Sequence, residues 1–270
     1  MHDFPHSSTN SISHGLPNLQ ELVSRGFGPV LDVQHCTQLT RLAGEGDLEQ
    51  VNLPAGQMCC LEQLSLNISS GCTISNLGDA LRLSSLTFVD QLPSNLINAQ
   101  TSTSTSSISA GAWPPLPLLY SLRIGLMPCA PPVVWAKYGS LRELEWRSYS
   151  HPRLPACFAD LTSLTKLKLA SSSLREFPSS LLKLTQLQEI SLCLMVFPKE
   201  IVQFASFLHL SRLTLHLDHN VEISADHDAA RLSASRESVC VLQATLLKRL
   251  PSASVRMVAD GGGWRFELTL

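Results

Sequence analysis

The sequence predicts an α/β solenoid: a curved parallel β-sheet with an irregular or helical convex side, closed by a C-terminal helix and a β-hairpin. Three observations carry this. Segments reading Leu-x-x-Leu-x-Leu recur along most of the chain. Their starts are separated by a nearly constant interval. The rhythm stops near Leu217, where a helical and then a two-strand pattern follows.

Residues 1–15, MHDFPHSSTNSISHG, hold His, Ser, Thr, Asn and Pro without apolar rhythm and are expected to form a disordered tail. The solenoid is then expected over 16–223. Its clear copies are LEQLSL from Leu61, LSSLTF from Leu83, LYSLRI from Leu119, LRELEW from Leu141, LTKLKL from Leu164, LQEISL from Leu187 and LSRLTL from Leu210. Successive starts lie 22, 36, 22, 23, 23 and 23 residues apart, a period that marks stacked repeats. Two weaker copies precede them: LTRLAG from Leu39, and LPNL from Leu16, 23 residues earlier. In these the third apolar place holds Gly44 and Glu21.

The spacing has a direct cause. In Leu-x-x-Leu-x-Leu the last two leucines alternate as on a strand and point to one face, while the first enters from the preceding turn. One strand cannot bury its leucines alone, so copies stack into a parallel sheet over a continuous aliphatic column. Each buried leucine contributes roughly 1.5–3 kcal/mol. The second half of a copy turns back along the convex side: Leu174, Phe177 and Pro178 followed by Leu181 and Leu184, Leu154 with Pro155, and Leu48, Leu53 with Pro54. Proline suits that return because it cannot donate to a ladder.

These copies resemble the leucine-rich-repeat family, from Leu16 to Leu217, and the period with its Leu-Pro half is similar to the intracellular plant- or scaffold-type subclass. The resemblance implies protein binding without catalysis. The family often carries asparagine at the ninth place, where it bonds neighbouring loops. Here that place holds Ser69, Gln91, Met127, Tyr149, Ser172, Met195 and Asp218, so either other groups tie the loops or the solenoid is irregular.

The 36-residue step contains NAQTSTSTSSISAGA, residues 98–112, expected as a mobile Ser/Thr loop within one solenoid. The last region, 224–270, is expected to cap the stack. Asp226 to Leu250 reads as a helix, with Ser224 or Asp226 at its start, Lys248 and Arg249 near its end and Pro251 as its stop. Val255 to Ala259 and Trp264 to Leu270 read as strands joined by a turn of Asp260 and three glycines.

The chain is 44% hydrophobic, enough for a sizeable core, and its 20 basic and 22 acidic residues leave a net charge of −2. No nucleic-acid partner and no membrane insertion are expected from that balance and from the short apolar stretches. The opening residues lack a basic flank and apolar segment, and the eight cysteines are scattered, so a cytoplasmic protein with reduced thiols is expected.

Chemistry finds little support. Asp260 to Gly263 lacks the Lys-Ser/Thr of a phosphate loop, and no Gly-x-Ser-x-Gly elbow occurs. His216, Asp218 and His219 are ligand types, but they read as a polar strand end followed by a loop. No catalytic residue, cofactor or metal is expected. What remains is the face opposite the leucines. In successive copies it carries Tyr120 and Arg123, then Arg142, Glu143, Glu145 and Arg147, then Lys166 and Lys168, then Glu189, then Arg212 and His216. Arg and Tyr are favoured interface anchors, so this face is the expected docking surface of a non-enzymatic interaction scaffold. The alternative is the recognition part of a larger sensing system, immune-receptor-like or a ubiquitin-ligase adaptor.

Overall fold

The computed structural model describes residues 16–56, 59–68, 71–89, 93–94, 96, 114–127, 138–149, 154, 156–174, 179–194, 203, 206–207, 209–218, 240–241, 244–245, 248, 254–260 and 263–269. The expected tail 1–15, the Ser/Thr tract 98–112, His219 and most of the helix expected over Asp226–Leu250 lie outside them. The chain divides into two compact units, Met1–Leu141 and Arg142–Leu270.

The first unit holds strands β1 (Glu21–Phe27), β2 (Val30–Asp32), β3 (Arg41–Gly46), β4 (Gln50–Asn52), β5 (Gln63–Asn67), β6 (Thr73–Ser75), β7 (Ser85–Phe88) and β8 (Ser121–Met127). Strands β1, β3, β5, β7 and β8 pair in parallel in that order, with Leu22, Leu42, Leu64, Leu86 and Leu122 as successive partners. All five are buried. The 36-residue step leaves the column unbroken, because Leu86 still meets Leu122.

That register corrects the first copy. Leu22 partners Leu42, so the copy begins at Leu19 and not at Leu16, and its third place is Ser24, opposite Gly44. Leu16 fills the turn place three residues earlier, where Leu116, Leu161 and Leu184 stand in other copies. The turn bond is the same: the Leu19 N–H donates to the Leu16 carbonyl at 3.1 Å, as Leu119 does to Leu116 and Leu164 to Leu161. A leucine at each of two adjacent places made both starts fit the pattern.

The return side is a second correction. In the first unit it is a second parallel sheet, β2–β4–β6, with Leu31, Val51 and Ile74 as buried partners, rather than helix. Buried apolar residues two apart, Leu31 and Val33, Val51 and Leu53, Cys72 and Ile74, suit strand there. Asn52, which is buried, accepts from Gln50 Nε2 at 2.8 Å, and Asn76 Nδ2 donates to the Leu53 carbonyl of the preceding coil at 2.9 Å.

The second unit holds β9 (Glu143–Tyr149), β10 (Lys166–Leu174), β11 (Glu189–Leu194), β12 (Arg212–Asp218), β13 (Ser254–Asp260) and β14 (Gly263–Thr269). Leu144, Leu167, Ile190 and Leu213 are successive parallel partners and are buried, as are Trp146, Leu169, Leu192 and Leu215 beside them. Its return segments are short 3-10 helices, Ala156–Asp160 and Ser179–Lys183, which bury Phe158 and Leu181. The Phe158 ring stacks on Trp146 at 6.2 Å. Strand β14 runs antiparallel to β12, setting Leu268 beside Leu213, and β13 pairs with the far side of β14. Asp218 thus ends a strand, paired with Gly263, instead of lying in the following loop. Gly263 in turn belongs to β14, which narrows the expected turn. Of the expected helix, residues 240–241, 244–245 and 248 are helical.

Coils are tied through the second residue of each motif. Its carbonyl accepts two N–H groups from the next coil: Gln20 from Thr40 and Arg41, Glu62 from Ser84 and Ser85, Thr165 from Gln188 and Glu189. Hydroxyls add a third donor. Thr40 bonds Gln20 at 2.9 Å, Ser84 bonds Glu62 at 3.1 Å, Thr165 bonds Arg142 at 3.1 Å and Ser211 bonds Gln188 at 3.0 Å. This hydroxyl ladder ties neighbouring coils at the motif's second place, where an Asn ladder would do so at the ninth. No helix among the described residues is long and apolar enough to cross a membrane.

Candidate functional site

Because side chains alternate along a strand, burying the leucines turns the intervening residues onto the other face. In the second unit the register lines up Glu143, Lys166, Glu189 and Arg212 as direct neighbours, a row whose sign alternates at every strand. Lys166 Nζ lies 3.3 Å from Glu189 Oε2. The next row starts with Glu145, opposite Lys168. Glu145 accepts from Lys168 Nζ at 3.0 Å and Arg147 Nε at 3.2 Å on one oxygen. Its side chain is 14% exposed, against 46% for Lys168 and 56% for Arg147, so the carboxylate sits beneath its two cations.

Burial alone would raise the Glu145 carboxyl, but the bonds from Lys168 and Arg147 prevail and hold it below the ordinary carboxylate range. The folded value lies below the unfolded one, so the stability it contributes is complete above the ordinary range and is lost as pH falls through the lowered value. Glu145→Gln is therefore expected to cost about 0.5–1 kcal/mol near neutrality, the scale of a partly exposed ion network. The gap between variant and native melting temperatures should close as the pH falls through the lowered value, and a gap constant with pH would refute the ion pairing.

The remaining residues are placed individually. Arg142 Nη1 reaches the Ser163 carbonyl at 3.4 Å and is exposed. Arg212 is exposed and makes no ion pair among the described residues. His216 is half-buried, a partner of Cys193 across the ladder. Tyr120, half exposed, and Arg123, opposite Thr87, lie on the corresponding face of the first unit. Among the described residues no group of three or more His, Cys, Asp or Glu stands together. Buried thiols are held protonated: burial pushes Cys72 up to about 11 and raises Cys36 and Cys59 as well.

The alternation within the face went unread in the sequence, although its signal was there. Residues 143, 166, 189 and 212 occupy one motif place at a 23-residue period and read Glu, Lys, Glu, Arg. The hydroxyls at residues 40, 84, 165 and 211 share another place and were equally open to view.

Each unit is thus built on a parallel β-solenoid of stacked Leu-x-x-Leu-x-Leu copies, defined by its register and its buried aliphatic columns. No family model matches the chain, and no curated protein matches it. Among solved structures it is similar to a leucine-rich-repeat protein of Leptospira interrogans, with 18% identity and a TM-score of 0.41 over 74% of this chain. The chain covers 60% of that protein, less than two thirds of its length.

Proposed function

We propose that the chain is a non-enzymatic scaffold that docks a protein partner on the leucine-free face of its parallel sheet. The carrying observation is the register of β9 to β12, which holds charged side chains at fixed inter-strand spacing over a locked aliphatic floor. In this unit the face sets Arg142, Arg147, Lys166, Lys168 and Arg212 against Glu143, Glu145 and Glu189, an excess of basic groups that suits a partner with acidic side chains. The Glu145 and Glu189 pairs fix three of the cations before binding, which lowers the ordering cost of association. Tyr120 and Arg123 offer an anchor pair of the same kind in the first unit. The antiparallel seat of β14 on β12 supports reading the hairpin as a closing cap for the last repeat. The buried, protonated cysteines suit a reducing cytoplasmic setting.

The test is proximity labelling in cells with the native chain and with Arg142→Glu, Arg147→Glu and Arg212→Glu combined. At least one partner with an acidic surface is expected to lose labelling by about tenfold or more, the scale of removing interface anchors. Retention of every partner by the folded variant rejects this face.

A further inference from the structure

We infer that β1 is a self-association edge, at which two copies of this chain pair their β1 strands antiparallel about Val23. Strand β1 ends its sheet: among the described residues only β3 pairs with it. It is seven residues long, and the Gln20 carbonyl just before it is directed at β3, where it takes the Thr40 and Arg41 N–H groups. Backbone groups alternate sides along a strand. The backbone groups of Leu22 and Ser24 therefore also face β3, while those of Glu21, Val23 and Arg25 point outward, at ladder positions that no strand takes up among the described residues; the Arg25 carbonyl accepts only a long bond from the adjacent Ser24 hydroxyl at 3.5 Å.

The side chains of these three residues fit a twofold axis. Val23 is 57% exposed, the most exposed large hydrophobic side chain among the described residues, on the face opposite buried Leu22. Glu21 stands two places before it and Arg25 two places after. With Val23 opposite its own copy, Glu21 meets the second copy's Arg25, and Arg25 meets the second copy's Glu21. Sliding the pair by two residues either way, the smallest shift that keeps the same faces together, sets Glu21 or Arg25 against Val23 instead. The fit extends to the next strands. Glu21 already holds Arg41 at 2.7 Å, and Arg25 lies opposite Glu45 in register without an ion pair among the described residues. Across the junction the outer rows therefore read Arg41, Glu21, Arg25, Glu45, alternating in sign, and the central row reads Ala43, Val23, Val23, Ala43.

Charges on an edge strand ordinarily block such pairing. Two charges of one sign would do so here. Opposite signs placed symmetrically about an exposed valine attract their own copy instead, which makes a self-complementary, twofold interface.

Sedimentation equilibrium of the full chain is expected to return a mass rising with concentration from 29.5 kDa toward twice that value. Glu21→Arg and Arg25→Glu should each stay monomeric, because like charges then face each other at both ends. Mixed in equal amounts, the two variants should recover the dimer, since a chain with two arginines meets a chain with two glutamates. Independently of any variant, deuterium exchange at the Val23 amide of the native chain should slow by about tenfold or more as the dimer forms, the protection of a newly formed ladder bond. A native chain that stays at the monomer mass, variants that dimerise as well as the native chain, or a mixture of folded variants that stays monomeric would overturn the inference. So would a Val23 amide protected equally at every concentration, which assigns the edge to another segment of the same chain.

Discussion

Leu167→Asp is expected to lower the stability of the second unit by at least about 4 kcal/mol, combining a lost core side chain with a buried carboxyl. Leu167 is 1% exposed and lies in register between Leu144 and Ile190, so it has no water to turn toward and no cation beside it. Each coil of a solenoid is stabilised mainly by its two neighbours, so the loss is shared by β9 and β11 and the transition should broaden or split rather than merely shift. An aspartate held in that column would bind a proton more tightly folded than unfolded. Its deficit should accordingly shrink as pH falls toward about 4, the opposite of the Glu145 behaviour. Gln188→Asp, at an exposed position just before β11, is the control and should stay within about 0.5 kcal/mol. Urea or thermal unfolding followed by circular dichroism measures both. An unchanged transition for Leu167→Asp would mean that the leucine column is not in the register described.

The aliphatic skeleton was legible in the sequence because leucine burial is periodic and each copy repeats the same demand. Leu144, Leu167, Ile190 and Leu213 are register partners as their spacing requires. Three features escaped for identifiable reasons. The start of the first copy was ambiguous because Leu16 and Leu19 occupy two places that both favour leucine, and only the pairing of Leu22 with Leu42 separates them. The return side was misread because its segments are short: Val30–Asp32, Gln50–Asn52 and Thr73–Ser75 give three residues each, too few for periodicity to distinguish strand from irregular chain. The charged residues proposed for docking were placed on the leucine-free side, where the register of β9 to β12 lines them up, yet the sequence reading took them as separate contacts. Their pairing, Glu145 with Lys168 and Lys166 with Glu189, joins residues 23 apart, and becomes visible only when copies are compared place by place.

Gly44→Leu restores the aliphatic residue that the motif calls for, yet it is expected to destabilise the first unit by about 1–3 kcal/mol through overpacking. The space is already filled from the neighbouring coil. The ladder between β1 and β3 shifts after Arg25, Gly26 takes φ of 79°, and Phe27 comes to lie opposite Gly46. A Cβ on Gly44 would stand 2.6 Å from Phe27 Cδ2, and one on Gly46 would stand 2.8 Å from the Phe27 carbonyl oxygen. Phe27 is 6% exposed, so its ring supplies across two coils the bulk that Leu66, Phe88 and Ile124 supply within their own. Phe27→Ala should then cost about 3–5 kcal/mol, as aromatic truncation in a core does. The two changes should offset each other, because a leucine at position 44 can occupy the volume that the ring vacates. The double variant is expected to be more stable than the sum of the single losses by about 1 kcal/mol or more, the coupling of residues in direct contact. Strict additivity, or a Gly44→Leu variant as stable as the native chain, would show that Phe27 does not fill the place left by the missing leucine, and that the first coils close on some other side chain.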